Sequence, residues 1–545
     1  MDPQDVSVTV STPGIIYNDL IILGSATGEG YNASPGHIRA YNVLSGDFEW
    51  IFNTIPQEDE YGHYSWTFYE TENYGAANNW GGMSLDEEKG IVYVPTGSPS
   101  YDFYGGTRPG ENLFGNCILA LEAATGKRIW HYQVVHHDLW DYDLSCAPNL
   151  ATILHKGRER DVVIQPTKMG TLFVLDRYTG ELLSDAPEQR VPASDLDEEQ
   201  ASITQPMPQD LILVRQEVTE DDLTDISPEA HAFAMEQFKR MKHGRVFTPP
   251  STEGTIMFPG TRGGVLWGGA SYDQENKMLY VNANEYPMII EMEKVVFDVS
   301  EVDMAHEGEI KPKENKKGKE IYLLNCASCH GKEKEGVPGA FPGLIGIEDK
   351  YPRDEIASII KNGKGRMPPY TQFKGQDMEA LLDYIMNIKK VPEMDTLIRK
   401  EKTKYVLKGY NKFFDNEGYP GVKPPWGTLS AVNMNNFKIE WQVPLGEYPE
   451  LAKKGIQNTG TQTFGGCVAT SGGLIFIGGT ADEKFRAFHA RTGEVLWEYQ
   501  LPFGGYATPA IYKIGDKQYI VIAAGGGNRN GTPSGDAYMA FTLND

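Results

Sequence analysis

Five cysteines among 545 residues are too few for a disulfide-braced scaffold. No stretch approaches the roughly 20 consecutive apolar residues that a membrane-spanning helix needs. Residues 1–10 offer neither the basic opening nor the apolar centre of an export leader. Basic residues are also in short supply: 50 Lys and Arg against 75 Asp and Glu give a net charge of −25 at pH 7. Such a surface repels phosphate, which excludes nucleic acid as a partner. Glycine (59), proline (33), tyrosine (29), phenylalanine (22) and tryptophan (9) are plentiful, and they suit many short strands joined by tight turns around an aromatic core.

One unit recurs along the chain: a small residue, an apolar residue, a turn with Gly or a substitute, then a Trp four residues on. It appears as RAYNVLSGDFEW (residues 39–50), LALEAATGKRIW (119–130), FVLDRYTGELL (173–183, Trp lost), SAVNMNNFKIEW (430–441) and RAFHARTGEVLW (486–497). Each copy predicts a hairpin with a residue tolerant of positive φ in its turn. A second hairpin type alternates with it, at residues 81–98, 268–285, 465–480 and 507–526. Two hairpins make a four-stranded blade, with the Trp wedged between neighbouring sheets. Radial blades protect their edges and leave an axial channel where inner loops converge. The fold class is therefore an all-β propeller, with about six blade units in this sequence.

Two stretches interrupt the repeat. Residues 188–245 predict one helix on the propeller, with Ser227 as N-cap, Pro228 in the first turn, Gly244 as stop, and Ala230, Phe233, Ala234, Phe238 and Met241 on its apolar face. Residues 301–396 open on a Lys-rich tract and predict two helices, over 319–330 and 376–390. The domain division that follows is propeller over 1–300, an inserted all-α domain over 301–396, and propeller again over 397–545.

The insert carries NCASCHG. The three-residue offset puts the thiols of Cys326 and Cys329 on one helical face, where each can add to a heme vinyl group, and His330 follows as an iron ligand. Met367, in a loop stiffened by Pro368 and Pro369, is the candidate for the opposite axial position, ahead of Met304, Met378, Met386 and Met394. No βαβ context supports a thioredoxin-like motif, and no second Cys pair completes a zinc site. The order Cys, Cys, His, Met, helix resembles class I cytochromes c. Heme c is attached outside the cytoplasmic membrane, so a periplasmic location is expected.

Directly after one Trp-bearing strand, HHDLWDYD (residues 136–143) crowds two imidazoles, three carboxylates and an indole together. This run resembles the corresponding segment of pyrroloquinoline quinone (PQQ) dehydrogenases, particularly the membrane glucose and quinate dehydrogenase branch. So do TKMGTLFVLDRYTGEL, FTPPSTEGTIMFPG, PPWGTLSAVN and ATPAIYKIGDKQYIVIAAGG. The resemblance implies an eight-bladed propeller holding PQQ and Ca²⁺ on its axis. It also implies Asp141 as the base that takes the substrate hydroxyl proton, and Lys168 as the cation at the reducible quinone carbonyl. Trp80 would lie under the PQQ plane and Trp426 beside it. Glu29 and Ser100 fall in the loops from which the family draws calcium ligands. Cys117, Cys146 and Cys467 are expected to be buried singletons.

Six blade units against the family's eight lead to the expectation that the sequence is N-terminally incomplete, with further blades preceding Met1. The expected function is a quinohemoprotein dehydrogenase that oxidises a small alcohol or sugar hydroxyl and sends electrons to its own heme c, then to a downstream cytochrome or quinone pool. A non-catalytic propeller scaffold carrying a cytochrome, or an electron-transfer protein without a quinone site, stands as the alternative.

Overall fold

The computed structural model describes residues 8–31, 33–67, 74–300, 315–337, 341–386, 399–527 and 530–543. Six antiparallel sheets follow one another along the chain. Blade I comprises Ile15–Tyr17, Leu20–Leu23, Ile38–Asn42 and Phe48–Phe52; blade II comprises Ser84–Asp86, Ile91–Pro95, Cys117–Glu122 and Arg128–Gln133. Blade III has three strands, Asn149–His155, Arg158–Pro166 and Leu172–Asp176. Blade IV is built from Ala270–Asp273, Met278–Asn284, Gly427–Asn433 and Lys438–Pro444, and blade V from Val468–Ala469, Leu474–Ile477, Lys484–His489 and Val495–Gln500. Blade VI again has three strands, Ala510–Ile514, Lys517–Gly527 and Thr532–Phe541.

The repeat has a simple packing basis. In each complete copy the Trp sits opposite an alanine across the hairpin: Ala40 with Trp50, Ala120 with Trp130, Ala431 with Trp441, Ala487 with Trp497. A bulge in the same hairpin adds local twist. The indole then reaches the next repeat. Trp50 Nε1 donates to Ala123 O at 3.2 Å, Trp130 to Arg177 O at 3.0 Å, and Trp441 to Ala490 O at 2.9 Å. Each indole lies against the turn glycine of that repeat. At Gly126, where φ is +71°, a side chain would be driven into the Trp50 ring. Where the sequence lacks the Trp, blade III lacks its fourth strand, and only a Leu175–Leu182 bridge remains. Inner strands approach so closely that a Cβ on Gly268 would collide with the backbone of Gly465 in the following blade.

The expected helix on the propeller is α1, Pro228–Arg240, and Ser227 Oγ accepts from Ala230 N at 3.0 Å. It buries Ala230, Ala234 and Phe238. Phe233 faces solvent instead, because its position falls outside this narrow i, i+4, i+8 stripe. The helix stops at Arg240, four residues before Gly244.

The insertion leaves and returns at one place, since Asn284 pairs with Gly427 in the middle of blade IV. A two-stranded ribbon, Met292–Ser300 with Arg399–Leu407, frames the helical segment. That segment holds four α-helices among the described residues, not two: α2 (Lys316–Asn325), α3 (Ala327–His330), α4 (Arg353–Asn362) and α5 (Gln376–Ile385). Cys326 interrupts the first predicted helix, and residues 387–390 of the second lie outside the described residues, as do Met304 and Met394. Helices α2 and α5 cross at Gly318, where a Cβ would strike the Ala380 carbonyl. Asn315 ties the crossing, capping α2 through Gly318 N at 2.9 Å and donating to Ala380 O at 2.7 Å. Tyr322, Leu324, Cys326, Ile356 and Leu381 belong to the same apolar cluster as Tyr31, Tyr101 and Tyr104 of the propeller loops, so the helical segment is fused to the blades by a continuous core.

Candidate functional site

The HHDLWDYD loop is shaped by Asp138. Its carboxylate accepts from Trp140 N, Tyr142 N and Asn116 Nδ2, each at 2.8 Å, and from Ser98 Oγ. Trp140 and Tyr142 are buried, their polar ends satisfied by Thr248 O and Pro259 O. Asp141, whose backbone takes a left-handed φ of +55°, and Asp143 both turn toward Lys168, which sits in the tight Thr167–Thr171 turn of blade III. Lys168 Nζ donates to Asp141 O (3.0 Å), Asp141 Oδ1 (2.9 Å) and Asp143 Oδ2 (2.7 Å). Half-buried Trp80 completes the group: its Nε1 donates to Asp143 Oδ2 at 3.1 Å, and Lys168 Nζ lies 5.7 Å from its ring centre. Asp143 Oδ1 accepts from Ser98 N at 2.7 Å.

Two further carboxylates face this group electrostatically, Glu29 and Asp102. Glu29 is open to solvent, yet enough protein surrounds it for desolvation to dominate. Tyr410 Oη donates to its Oε2 at 3.1 Å. Burial raises Asp141 well above the ordinary carboxylate range, with Lys168 only partly offsetting it; desolvation likewise raises Asp102 and Glu29. Burial works against Asp143 too, but there Lys168 prevails and the carboxyl lies below its ordinary value. Desolvation disfavours the Lys168 ammonium, yet Asp141 and Asp143 outweigh it and the lysine stays charged. Four carboxylates around one ammonium leave a surplus of negative charge that protons, or a divalent cation, can relieve.

Ser100 Oγ is buried without a hydrogen-bond partner, an orphan of the kind a cation satisfies. No three His, Cys, Asp or Glu side chains among the described residues form a ready-made metal cage. A calcium ion here would therefore draw neutral oxygens such as Ser100 Oγ together with Glu29. A half-exposed indole beside a fixed ammonium also suits a planar anionic quinone. Trp426 belongs to another core cluster: its indole is wholly buried, donates to Val422 O at 2.7 Å, stacks on Tyr419 and meets Tyr448 edge-on. His136 and His137 are engaged elsewhere. His137 bonds Gly110 O and Glu199 Oε1, and His136 bonds Gln133 and Glu188, so neither has a free nitrogen for the channel.

In the helical segment, His330 is buried, and its Nδ1 lies 2.8 Å from Pro342 O. Taken as a donor there, the ring is left with Nε2 free for a metal, as a ligating histidine requires. Burial pushes the Cys326 thiol up to about 12 and raises Cys329, so both are neutral thiols. Met367 lies half-buried in the loop between α4 and α5, against the cluster that includes Tyr322 and Cys326. These residues fit a covalently held heme. The segment also lies near the acidic group: Cys329 is within electrostatic reach of Glu29, and a Cβ on Gly30 would touch Asn325. Cys117, Cys146 and Cys467 are buried singletons.

Sequence reasoning missed Asp102, Asp143 and Tyr410. The first two lie within quoted motifs, two residues beyond Ser100 and Asp141, and a count of acids in each loop would have flagged them. Tyr410 has no local signal.

Comparison with known proteins bears on the family and the fold. The profile "Glucose/ethanol/alcohol dehydrogenase, beta-propeller domain" matches residues 1–328 and 359–520, and "Cytochrome C oxidase, cbb3-type, subunit III" matches residues 313–385. The quinoprotein glucose dehydrogenase of Escherichia coli (strain K12) is 29% identical over 551 residues, covering 98% of this chain and 58% of that protein. The quinate/shikimate dehydrogenase (quinone) of Acinetobacter baylyi is 30% identical over 554 residues, covering 98% and 57% respectively. The chain thus spans little more than half the length of these relatives. Among solved structures, the quinohemoprotein alcohol dehydrogenase of Comamonas testosteroni aligns at a TM-score of 0.56 with 21% identity, over 96% of this chain and 57% of that one; at this identity it speaks to the fold. With the blade repeat, the channel group and a profile match over most of its length, the chain belongs to the PQQ β-propeller family of glucose, ethanol and alcohol dehydrogenases.

Proposed function

We propose that the protein is a periplasmic quinohemoprotein dehydrogenase that oxidises a CH–OH group of a small alcohol or sugar, using PQQ and Ca²⁺ in the channel and heme c in the inserted segment. The observation that carries this reading is the convergence of a buried ammonium, two carboxylates and a half-buried indole on one point. A propeller that serves only as scaffold has no use for such a group, whose burial is unfavourable unless its charges do work.

PQQ, when bound, supplies the acceptor for the two electrons that leave the substrate carbon. Asp141 takes the hydroxyl proton, a role helped by a pKa raised toward the working pH. Lys168 holds Asp141 and Asp143 in place and keeps a positive charge beside the cofactor position. Trp80 forms a flat wall that orients a planar ring. Cys326 and Cys329 would hold the heme covalently and His330 and Met367 would bind its iron, where it would carry single electrons, and the reach of Cys329 to Glu29 supports a short electron path. Onward transfer goes to an external cytochrome or quinone. No described helix is long and apolar enough to cross a membrane.

The test is reconstitution of the full chain with PQQ and Ca²⁺, followed by dye-coupled assays over alcohols, polyols, aldoses and cyclic hydroxy acids. Substrate-dependent dye reduction that needs PQQ supports the reading. A chain that binds PQQ but reduces no dye with any of them overturns it.

A further inference from the structure

The insertion brings more than a heme-binding segment to the channel. As the chain returns from the helices, the ribbon strand Arg399–Leu407 is fastened to two propeller loops. Leu407 N donates to Tyr101 Oη at 2.7 Å, and Tyr31 Oη donates to Tyr405 O at 2.7 Å. Tyr31 and Tyr101 stack face to face at 4.6 Å. These loops carry Glu29 and Ser100. Three residues past Leu407 the chain delivers Tyr410, whose ring meets Phe103 edge-on at 6.1 Å and whose hydroxyl donates to Glu29 Oε2. Beyond it, Asn411–Lys412 pairs with Met288–Ile290, so the Tyr410 backbone is held from both sides. Tyr410 is the only hydrogen-bond partner of the Glu29 carboxylate among the described residues.

We propose that Tyr410 is a positioning residue for Glu29, so that the strap returning from the cytochrome segment sets the affinity of the channel for a divalent cation. The proposal rests on the reading of Glu29 as a cation ligand. Glu29 sits in the glycine-flanked run Gly28–Glu29–Gly30, whose backbone does little to fix a side chain, and one phenolic donor engages one oxygen and leaves the other for a metal. Hydrogen-bond partners that orient a metal ligand typically govern affinity by about 10- to 100-fold.

The experiment is Ca²⁺ titration by isothermal calorimetry into the full chain with PQQ present, comparing wild type, Tyr410→Phe, Glu29→Gln and the double variant. Tyr410→Phe keeps the ring against Phe103 and removes only the donor. Ca²⁺ binding is expected to weaken about 10-fold or more, with kcat recovering at saturating Ca²⁺ and with unchanged thermal unfolding in chelator; Tyr410→Leu adds a drop in Tm through lost packing. In the Glu29→Gln background, Tyr410→Phe is expected to change nothing further, because it acts through the carboxylate. If Glu29→Gln abolishes binding while Tyr410→Phe stays within twofold of wild type, the positioning role is overturned and the cation reading stands. If Glu29→Gln binds normally, or wild type takes up no Ca²⁺, the cation reading itself falls.

Discussion

Asp141 and Asp143 are two residues apart, share one ammonium, and are driven in opposite directions. Asp143 accepts from a backbone amide, from the Trp80 indole and from Lys168, so its charge is well solvated by protein. At Asp141 Lys168 alone offsets burial and the neighbouring carboxylates, and Asp141 is therefore the carboxylate that moves toward neutrality. Divergent pKa values in adjacent acids separate a base from a structural anion. With PQQ loaded, Asp141→Asn should retain the cofactor while turnover falls about 10²- to 10⁴-fold, measured as dye-coupled kcat beside PQQ stoichiometry. The sign of the pH dependence follows as well. In its proposed role as base Asp141 must be ionised, so activity is expected to be lost as pH falls through its raised pKa, at a pH above the ordinary Asp value of about 3.9. Lys168→Met removes the charge that draws Asp141 down, so the acid limb of the kcat/KM profile should move to higher pH in that variant.

At the scale of the element, the blade hairpin shows one sequence rule giving two outcomes. Trp130 is 7% exposed, faces Ala120 and caps the blade III turn, whereas Trp497, in the equivalent place in blade V, is 38% exposed and rests edge-on against Phe541. A buried indole that fills a slot leaves a cavity when truncated, and a half-exposed one leaves mainly lost surface. Trp130→Ala should therefore destabilise by about 3–5 kcal/mol, and Trp497→Ala by clearly less, read as the shift in denaturation midpoint for each variant. Equal losses would show that the inter-blade slot adds nothing to the hairpin's own stability. The hairpins were legible in sequence because their determinants, a turn residue tolerant of positive φ and a Trp opposite an Ala, lie within twelve residues. Even the substitute was readable: Phe437 adopts φ +58° where the other copies have Gly. The apolar face of α1 was less so. Spacing alone offered Phe233 to the core, but the buried stripe runs through Ala230, Ala234 and Phe238 and leaves Phe233 facing solvent.

At the scale of the molecule, the insertion joins two sites that are remote in sequence. Cys329 and Glu29 sense one another, and the helices share an apolar core with the propeller loops. Under the proposed function, electrons released beside Asp141 and Lys168 would have their next carrier close by. Changing His330 to Ala should leave reduction of an artificial dye largely intact and stop substrate-driven reduction of an external cytochrome, with the heme spectrum altered to match. If external cytochrome were still reduced at the normal rate, the heme would lie off the electron path.

The sequence by itself determined the blade hairpins, the heme-attachment motif and the acid-rich loop, because each depends on residues a few positions apart, whose directions are dictated by strand alternation, helical pitch or covalent spacing. Tertiary structure decided which of those residues meet. Tyr410 reaches Glu29 across 381 residues because a ribbon carries it there, and Trp426 is wholly buried against Tyr419 and Tyr448. His136 and His137 stand in the same acid-rich run, and only their partners at Glu188 and Glu199 show them committed to holding the loop. Long-range contacts such as these depend on where insertions leave and re-enter the blades and on which faces packing closes, and no local spacing encodes either.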